Sequence, residues 1–366
     1  MARGDSAHRE LFSFQKSELG KGENPMRRYR DFENATIPEQ FVEKNRIAAR
    51  NEKLRLYTPL IVLIVLNIVG WILAGDRNFI SVHNFVNIMY QMSVPLVVAT
   101  GITFVIMIGS TDLSLEGVIG FAAAMTSLLV TNTKNSNDFG FLALVLVLAA
   151  GALMGLLVGV THVYLKISSF IATYAFCQVF MGVAVLQYKG IPAAIKWDVF
   201  SWIAACRPLG IPLVTWLAFG FFMIGVYILH FTAFGRGVYA IGYSEPVALS
   251  AGINVKRTKI LCFMISAIAA SFAGILIMVR LKQGTASSGE DQLFPAITAL
   301  VVGGASVAGG KGGMGQTLLG VLITTEIANL LTIMAVNPYY KQAINAIIII
   351  VAVSLSINRT KRTIAV

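Results

Sequence analysis

Two carboxylates stand in stretches of this chain that are otherwise almost wholly apolar. Asp112 lies in Ser110-Thr111-Asp112-Leu113-Ser114, and Glu326 lies in Leu322-Ile323-Thr324-Thr325-Glu326-Ile327-Ala328-Asn329. An ionisable group at membrane depth is costly unless it faces a cavity or a partner, so each is a functional candidate. Asp112, with Ser114, could accept hydrogen bonds from the hydroxyls of a substrate; either residue could equally cap a broken helix. Glu326 and Asn329 are three apart and share one helix face. They fit the lining of a transport path and fit interhelical hydrogen bonding in a bundle or at a dimer interface. Thr173 and Gln178 are further path candidates. A glycine-rich run, Val301-Val302-Gly303-Gly304-Ala305-Ser306-Val307-Ala308-Gly309-Gly310-Lys311-Gly312-Gly313, interrupts another apolar stretch. Irregular backbone at membrane depth is tolerated only in protein or beside a cavity. Gly303, Gly304, Gly309, Gly310 and Gly312 serve gating or close packing, and both uses predict the same residues.

Other chemistries are missing. Gly310-Lys311 is followed by Gly312, so the hydroxyl that a nucleotide-binding P-loop needs for magnesium is absent, and ATP hydrolysis is not expected of this chain. No His-Glu-x-x-His occurs. His8, His83, His162 and His230 are scattered, and so are Cys177, Cys206 and Cys262, which read as free thiols in packed helices.

The elements that must hold these residues are membrane helices. The chain has 366 residues, is 56% hydrophobic and 13% charged, and has a mean hydropathy of +0.73. A soluble domain cannot hide that much apolar surface. The net charge is +11, and twelve of the 29 Lys and Arg fall in residues 1–55. Positive charge before a first span marks that end as cytoplasmic and argues for a lipid setting over nucleic acid. Residues 1–55 read as a basic tail, in which Pro38–Arg55 could form an amphipathic helix on anionic lipid.

At about 20 apolar residues per crossing, the remainder predicts about ten spans. They are Tyr57–Ala74, Asn84–Gly109, Glu116–Val130, Phe141–Tyr164, Ser169–Gln187, Pro212–Phe231, Lys259–Val279, Phe294–Val307, Gly315–Ala335 and Gln342–Ile357. The third and eighth are short and read as broken or re-entrant. This is an all-α integral membrane fold, with a permease-like domain over 56–358 and a tail at 359–366. The order puts Lys166, Arg236, Lys256, Arg257, Lys311, Arg359, Lys361 and Arg362 inside, in keeping with the positive-inside rule. The loop Lys189–Arg207 faces out and offers Trp197 and Trp202 as interface anchors. Gly101–Met125 and Ala296–Leu322 share a plan of apolar run, glycine break and apolar run, as repeat-built transporters do.

The segment 232–258 reads as a cytoplasmic loop. Ser244 and Pro246 would start a short helix there and Gly252 would end it, giving a piece that could seat in a groove of another protein. Phe234, Gly235, Arg236, Tyr239, Ala240, Gly242, Ala248, Gly252 and Ile253 match the pattern F-G-R-x-x-Y-A-x-G-x-N-P-E-A-A-R-L-S-G-I. In this the segment resembles the coupling loop of ABC-transporter permeases of the ribose-type carbohydrate family. Asp112-Leu113-Ser114, Ser169-Phe170-Ile171-Ala172-Thr173, Val302–Gly312, Asn329 and Asn337-Pro338-Tyr339-Tyr340 resemble further motifs of that family in order, over residues 80–357. The chain departs from it at Glu116, where Gly is usual, at Glu245-Pro246, which inverts Pro-Glu, at Met181 for Arg, and at Glu326 for an apolar residue.

The resemblance implies a type II ABC importer-like membrane subunit that works with a second permease copy or paralogue. It implies an external substrate-binding protein, and a cytoplasmic ATPase that carries ATP and magnesium and binds Arg236, Glu245, Pro246, Ala248, Gly252 and Asn254. The implied substrate is a monosaccharide or related polyol, with nucleosides or branched-chain amino acids as nearest alternatives. A stand-alone, ion-coupled transporter with Asp112 or Glu326 as proton carrier is the reading from another class.

Overall fold

The structure is a computed structural model that describes residues 57–74, 79–189, 191–337, 340, 343–344 and 346–347. The fold is that of the unit Thr58–Val366. Its helices are α1 (Tyr57–Ala74), α2 (Val82–Met107), α3 (Leu115–Leu129), α4 (Phe141–Tyr164), α5 (Ser169–Tyr188) and α6 (Asp198–Ala205). They continue as α7 (Leu213–Phe231), α8 (Ala233–Tyr243), α9 (Glu245–Ser250), α10 (Val255–Leu281), α11 (Leu293–Val302) and α12 (Met314–Ile333). Among the described residues, α1, α2, α4, α5, α7, α10 and α12 are long and apolar enough to cross a membrane. The all-α membrane fold expected from the sequence is the fold observed.

The core is built on α2 and α10. Their apolar windows are 78% and 67% buried, against 17% for α1 and 33% for α4. Small residues explain the centrality of α10. Along one side, Gly151, Gly155 and Gly159 of α4 lie against Ser271, Ala267, Phe263 and Ile260. Along two others, Gly101 of α2 meets Ala269 and Ser266, and Gly274 of α10 itself meets Ile119 and Ala122 of α3. Lipid tails are as apolar as leucine, so helices in a membrane associate through such close backbone contact. Outward-facing Val145, Leu153, Leu157, Met223 and Tyr227 are exposed, as a lipid-facing surface requires.

Several boundaries differ from expectation for local reasons. The seventh span begins at Val255, not Lys259, because Asn254 caps it: its Oδ1 accepts the Arg257 N–H at 3.1 Å. The eighth ends at Val302, not Val307, because the chain turns at Gly304. The loop over Lys189–Arg207 contains structure of its own, α6 and the two-residue β1 (Ala193–Ala194), which pairs antiparallel with β2 (Gln283–Gly284) after α10. Within it Trp197 packs edge-on against Phe141 and Phe200, while Trp202 stays exposed. The tails 1–55 and 359–366, the Pro38–Arg55 helix and, but for isolated positions, the tenth span fall outside the described residues.

A methyl group at Gly155 would stand 2.5 Å from the Phe263 carbonyl and 2.7 Å from the Met264 Cα, both backbone atoms. Gly155→Ala is therefore expected to destabilise the protein by about 1–3 kcal/mol. Gly182→Ala, on the open face of α5, is expected to stay within about 0.5 kcal/mol. Thermal unfolding of the two variants in detergent checks this, and equal melting temperatures would refute it.

Candidate functional site

Two helix breaks and the segment between α7 and α10 meet at one place. The first break comes after α2. Gly109 adopts φ +74, its N–H donates to the Ile106 carbonyl at 2.9 Å, and the Ser110 N–H donates to the Val105 carbonyl at 3.1 Å. This pair of bonds is the Schellman stop that a left-handed glycine permits. Asp112 then turns the chain into α3. Its Oδ1 accepts the Ser114 N–H at 3.0 Å and the Ser114 hydroxyl at 2.6 Å. Its Oδ2 accepts the Ser266 hydroxyl of α10 at 2.8 Å. The Thr111 N–H donates to Ser169 Oγ at the start of α5, 3.2 Å away. Asp112 is 1% exposed and both its oxygens are occupied by protein donors, so a substrate hydroxyl would have to displace one of them.

The second break repeats the plan after α11. Gly304 has φ +95, its N–H donates to the Val301 carbonyl at 3.0 Å, and the Ala305 N–H donates to Leu300 at 2.9 Å. The loop closes with the Ser306 N–H on the Lys311 carbonyl at 2.8 Å and the Gly309 N–H on Ser306 at 3.0 Å. Gly303 is helical (φ −67) but lies flat against the Gln316 carbonyl of α12. Gly309, Gly310 and Gly312 also have positive φ. The breaks are joined directly, since the Gly310 N–H donates to the Met107 carbonyl at 3.0 Å.

The expected cytoplasmic loop over 232–258 is largely helical. Its one predicted short helix is preceded by α8, which Thr232 caps by accepting the Gly235 N–H at 3.2 Å. Ser244 holds the N-cap position of α9 in extended backbone, without a side-chain cap bond, and Pro246 sits in the first turn. Gly252 (φ +79) ends α9: its N–H donates to Leu249 at 3.0 Å and the Ile253 N–H donates to Ala248 at 3.1 Å. Ala248 is the buried residue of α9, while Val247 and Leu249 are 63% and 65% exposed. Arg236, Lys256 and Arg257, which flank this apolar knob in sequence, are exposed, and Glu245 pairs with Lys259 at 2.6 Å.

The remaining candidates are dispersed. Thr173 is buried on α5 and donates to the Ser169 carbonyl at 2.7 Å, whereas Gln178 is exposed on the same helix. Glu326 and Asn329 are buried on α12, and Glu326 Oε2 and Asn329 Oδ1 have no hydrogen-bond partner among the described residues. Glu326 borders a crevice of about 450 Å³ whose lining includes Asn67 of α1 and Ser81 and Phe85 near the start of α2. Asp112 lines no part of that crevice. Sequence reasoning does not single out Ser266 as the partner of Asp112. A serine in the apolar run Cys262–Ile268 is the available signal.

Asp112→Ala leaves the Ser114 and Ser266 donors buried without an acceptor. It is expected to cost about 2–4 kcal/mol of stability, and Ser266→Ala about 1 kcal/mol. Asp112→Asn, which keeps an acceptor at the same place, is expected to fall between wild type and Asp112→Ala. Chemical or thermal unfolding in detergent reads the order, and full stability of Asp112→Ala would show that the carboxylate does not hold the break.

The comparisons with known proteins agree with this architecture. The family described as "Branched-chain amino acid transport system / permease component" matches residues 84–353. The Ribose import permease protein RbsC of Escherichia coli is 34% identical over 280 residues, 75% of this chain and 86% of that protein. The Galactose/methyl galactoside import permease protein MglC of Haemophilus influenzae is 32% identical over 343 residues, 86% of this chain and 96% of that protein. The Probable ABC transporter permease protein YphD of Escherichia coli is 33% identical over 287 residues, 78% of this chain and 85% of that protein. No solved structure gives a significant match. With the match running from α2 past α12, and its relatives named as transport subunits and not enzymes, this multi-pass membrane chain belongs to the permease-component family of branched-chain amino acid transport systems.

Proposed function

We propose that this chain is the permease subunit of an ATP-driven importer for a monosaccharide or related polyol, set in the cytoplasmic (inner) membrane with both ends inside. The names of relatives that import ribose and galactose support the substrate class. The observation that carries the mechanism is α9. It is fixed at its end by a Schellman stop and held by one buried alanine, and it offers Val247 and Leu249 to the outside. A short, rigid helix with an apolar tip is a fit for a groove in a partner. Arg236, Lys256, Arg257, Lys166 and Lys311 lie at the face that the charge pattern assigns to the cytoplasm. The partner there is an ATPase that holds ATP and magnesium, and closure of that ATPase drives α9.

A second permease copy or paralogue completes the path, and an external binding protein delivers the substrate to the opposite face. Of the six residues expected along the path, Asp112, Ser114, Thr173, Glu326 and Asn329 are buried within the subunit, and Gln178 alone is exposed. That favours Gln178 as the group that meets substrate between two copies, with the others shaping the helices behind it.

Leu249→Asp puts a charge on the tip without touching the packing of α9. Association with the ATPase, measured by co-purification and titration in mild detergent, is expected to weaken at least about tenfold. The monomer's melting temperature should stay unchanged. Undiminished association would remove α9 as the docking element, and uptake by wild-type chain in vesicles without any ATPase or ATP would overturn the importer reading.

A further inference from the structure

The three backbone segments at the meeting point touch without side chains between them. A methyl group at Gly242 of α8 would run into the Met107 carbonyl and stand 2.6 Å from the Gly310 nitrogen. One at Gly309 would stand 2.7 Å from the Gly109 nitrogen, and one at Gly310 would stand 2.8 Å from the Gly242 carbonyl carbon. The end of α2, the glycine loop before α12 and the end of α8 therefore pack main chain on main chain. Such a contact has no rotamers to absorb a displacement, and interiors packed this closely transmit strain. Three residues before Gly242, and so on a neighbouring part of the same helix face, the Tyr239 hydroxyl donates to the Gly312 carbonyl at 3.1 Å. Burial pushes the Tyr239 hydroxyl up from its ordinary pKa, so it remains a donor throughout the physiological range.

We propose that Tyr239 is a positioning residue for coupling: it clamps the second helix break to α8, so that movement of the docked α9 reaches both breaks together. This rests on the importer reading above. Gly242 bears on the first break and on Gly310; Tyr239 adds the far side of the loop, at Gly312, just before α12 begins. Without the clamp, α8 still pushes on Met107, but the loop leading into α12 can lag. The ATPase would then cycle while the two broken helices no longer change state in step.

The test is Tyr239→Phe in the complete complex, reconstituted with its ATPase and binding protein in proteoliposomes, with uptake and ATP hydrolysis measured side by side. Phenylalanine keeps the ring and its packing and deletes one hydroxyl. Uptake per ATP hydrolysed is expected to fall about fivefold, the equivalent of one hydrogen bond. Complex assembly and hydrolysis should stay within about twofold of wild type. Tyr227→Phe, on the exposed face of α7, is the control and should leave the ratio unchanged. An unchanged ratio in Tyr239→Phe overturns the proposal. So does a proportional loss of uptake and hydrolysis, because that reports damaged folding or docking. If the wild-type complex takes up substrate without ATP, the importer reading fails first and the clamp fails with it, which separates the two.

Discussion

A bilayer supplies no water, so each backbone polar group that leaves a helix must find its partner inside the protein. The rest of this structure depends on how the chain meets that demand at its two breaks. Each of α2 and α11 ends in a left-handed glycine that returns two orphan carbonyls to the backbone. Beyond those glycines the two breaks diverge. The first is bound by side chains, with Asp112 collecting two serine hydroxyls and an amide. The second has no buried acid and instead closes on its own backbone and on Met107. One break is thus fastened to α10 and to the start of α5. The other is fastened to the end of α2 and to α8, the part that leads to α9. The two breaks thus differ in their fastenings, and the Gly310 N–H on the Met107 carbonyl joins them to each other.

The packing of α10 gives the first break its frame. Glycines on α4, α2 and α10 itself bring backbones within van der Waals reach on three sides. Ser266, the residue that holds Asp112, lies in the same stretch that receives Gly101. The first break is therefore anchored to the most enclosed part of the fold, where displacement would cost close packing on several faces at once. At the start of the same helix Asn254 caps the first turn directly after α9. α10 begins where the exposed knob ends, and it buries its interior residues in the core.

Much of this is legible in the sequence, and the rest has physical reasons for staying hidden. The bounds of α1 and α4 are readable because hydropathy alone sets them, and polar or glycine residues flank both. The two breaks are readable because glycine clusters inside apolar runs are rare without cause. α8 reads as loop, since Gly235, Gly237 and Gly242 argue against a helix by propensity. Tertiary contact reverses that argument at two of them: Gly235 lies against the Leu229 carbonyl and Gly242 against the Met107 carbonyl, where any side chain would obstruct, while Gly237 meets Ile253 at ordinary contact distance. The partnership of Asp112 with Ser266 spans 154 residues, and no local pattern announces it. Likewise, periodicity puts Glu326 and Asn329 on one face but does not say which neighbour that face meets.

The departures from the ribose-type pattern separate into those the fold answers and one it answers only in part. Glu116, where glycine is usual, accepts the Leu293 N–H at 3.4 Å, so an anionic group sits at the start of α11, where the helix dipole favours it. Glu245, moved by the Pro-Glu inversion, pairs with Lys259 at the root of α10, which ties α9 to the helix that follows it. In both cases the substituted charge gained a local partner, and the change reads as an accommodation within the same architecture. Glu326 is different. Its Oε2 and the Oδ1 of Asn329 are buried acceptors without donors among the described residues, beside the crevice that Asn67 of α1 also lines. Buried polar atoms left unpaired carry a desolvation cost with no compensating bond. A carboxylate at such a position, where the ribose-type pattern has an apolar residue, is the departure whose partners the described residues supply least.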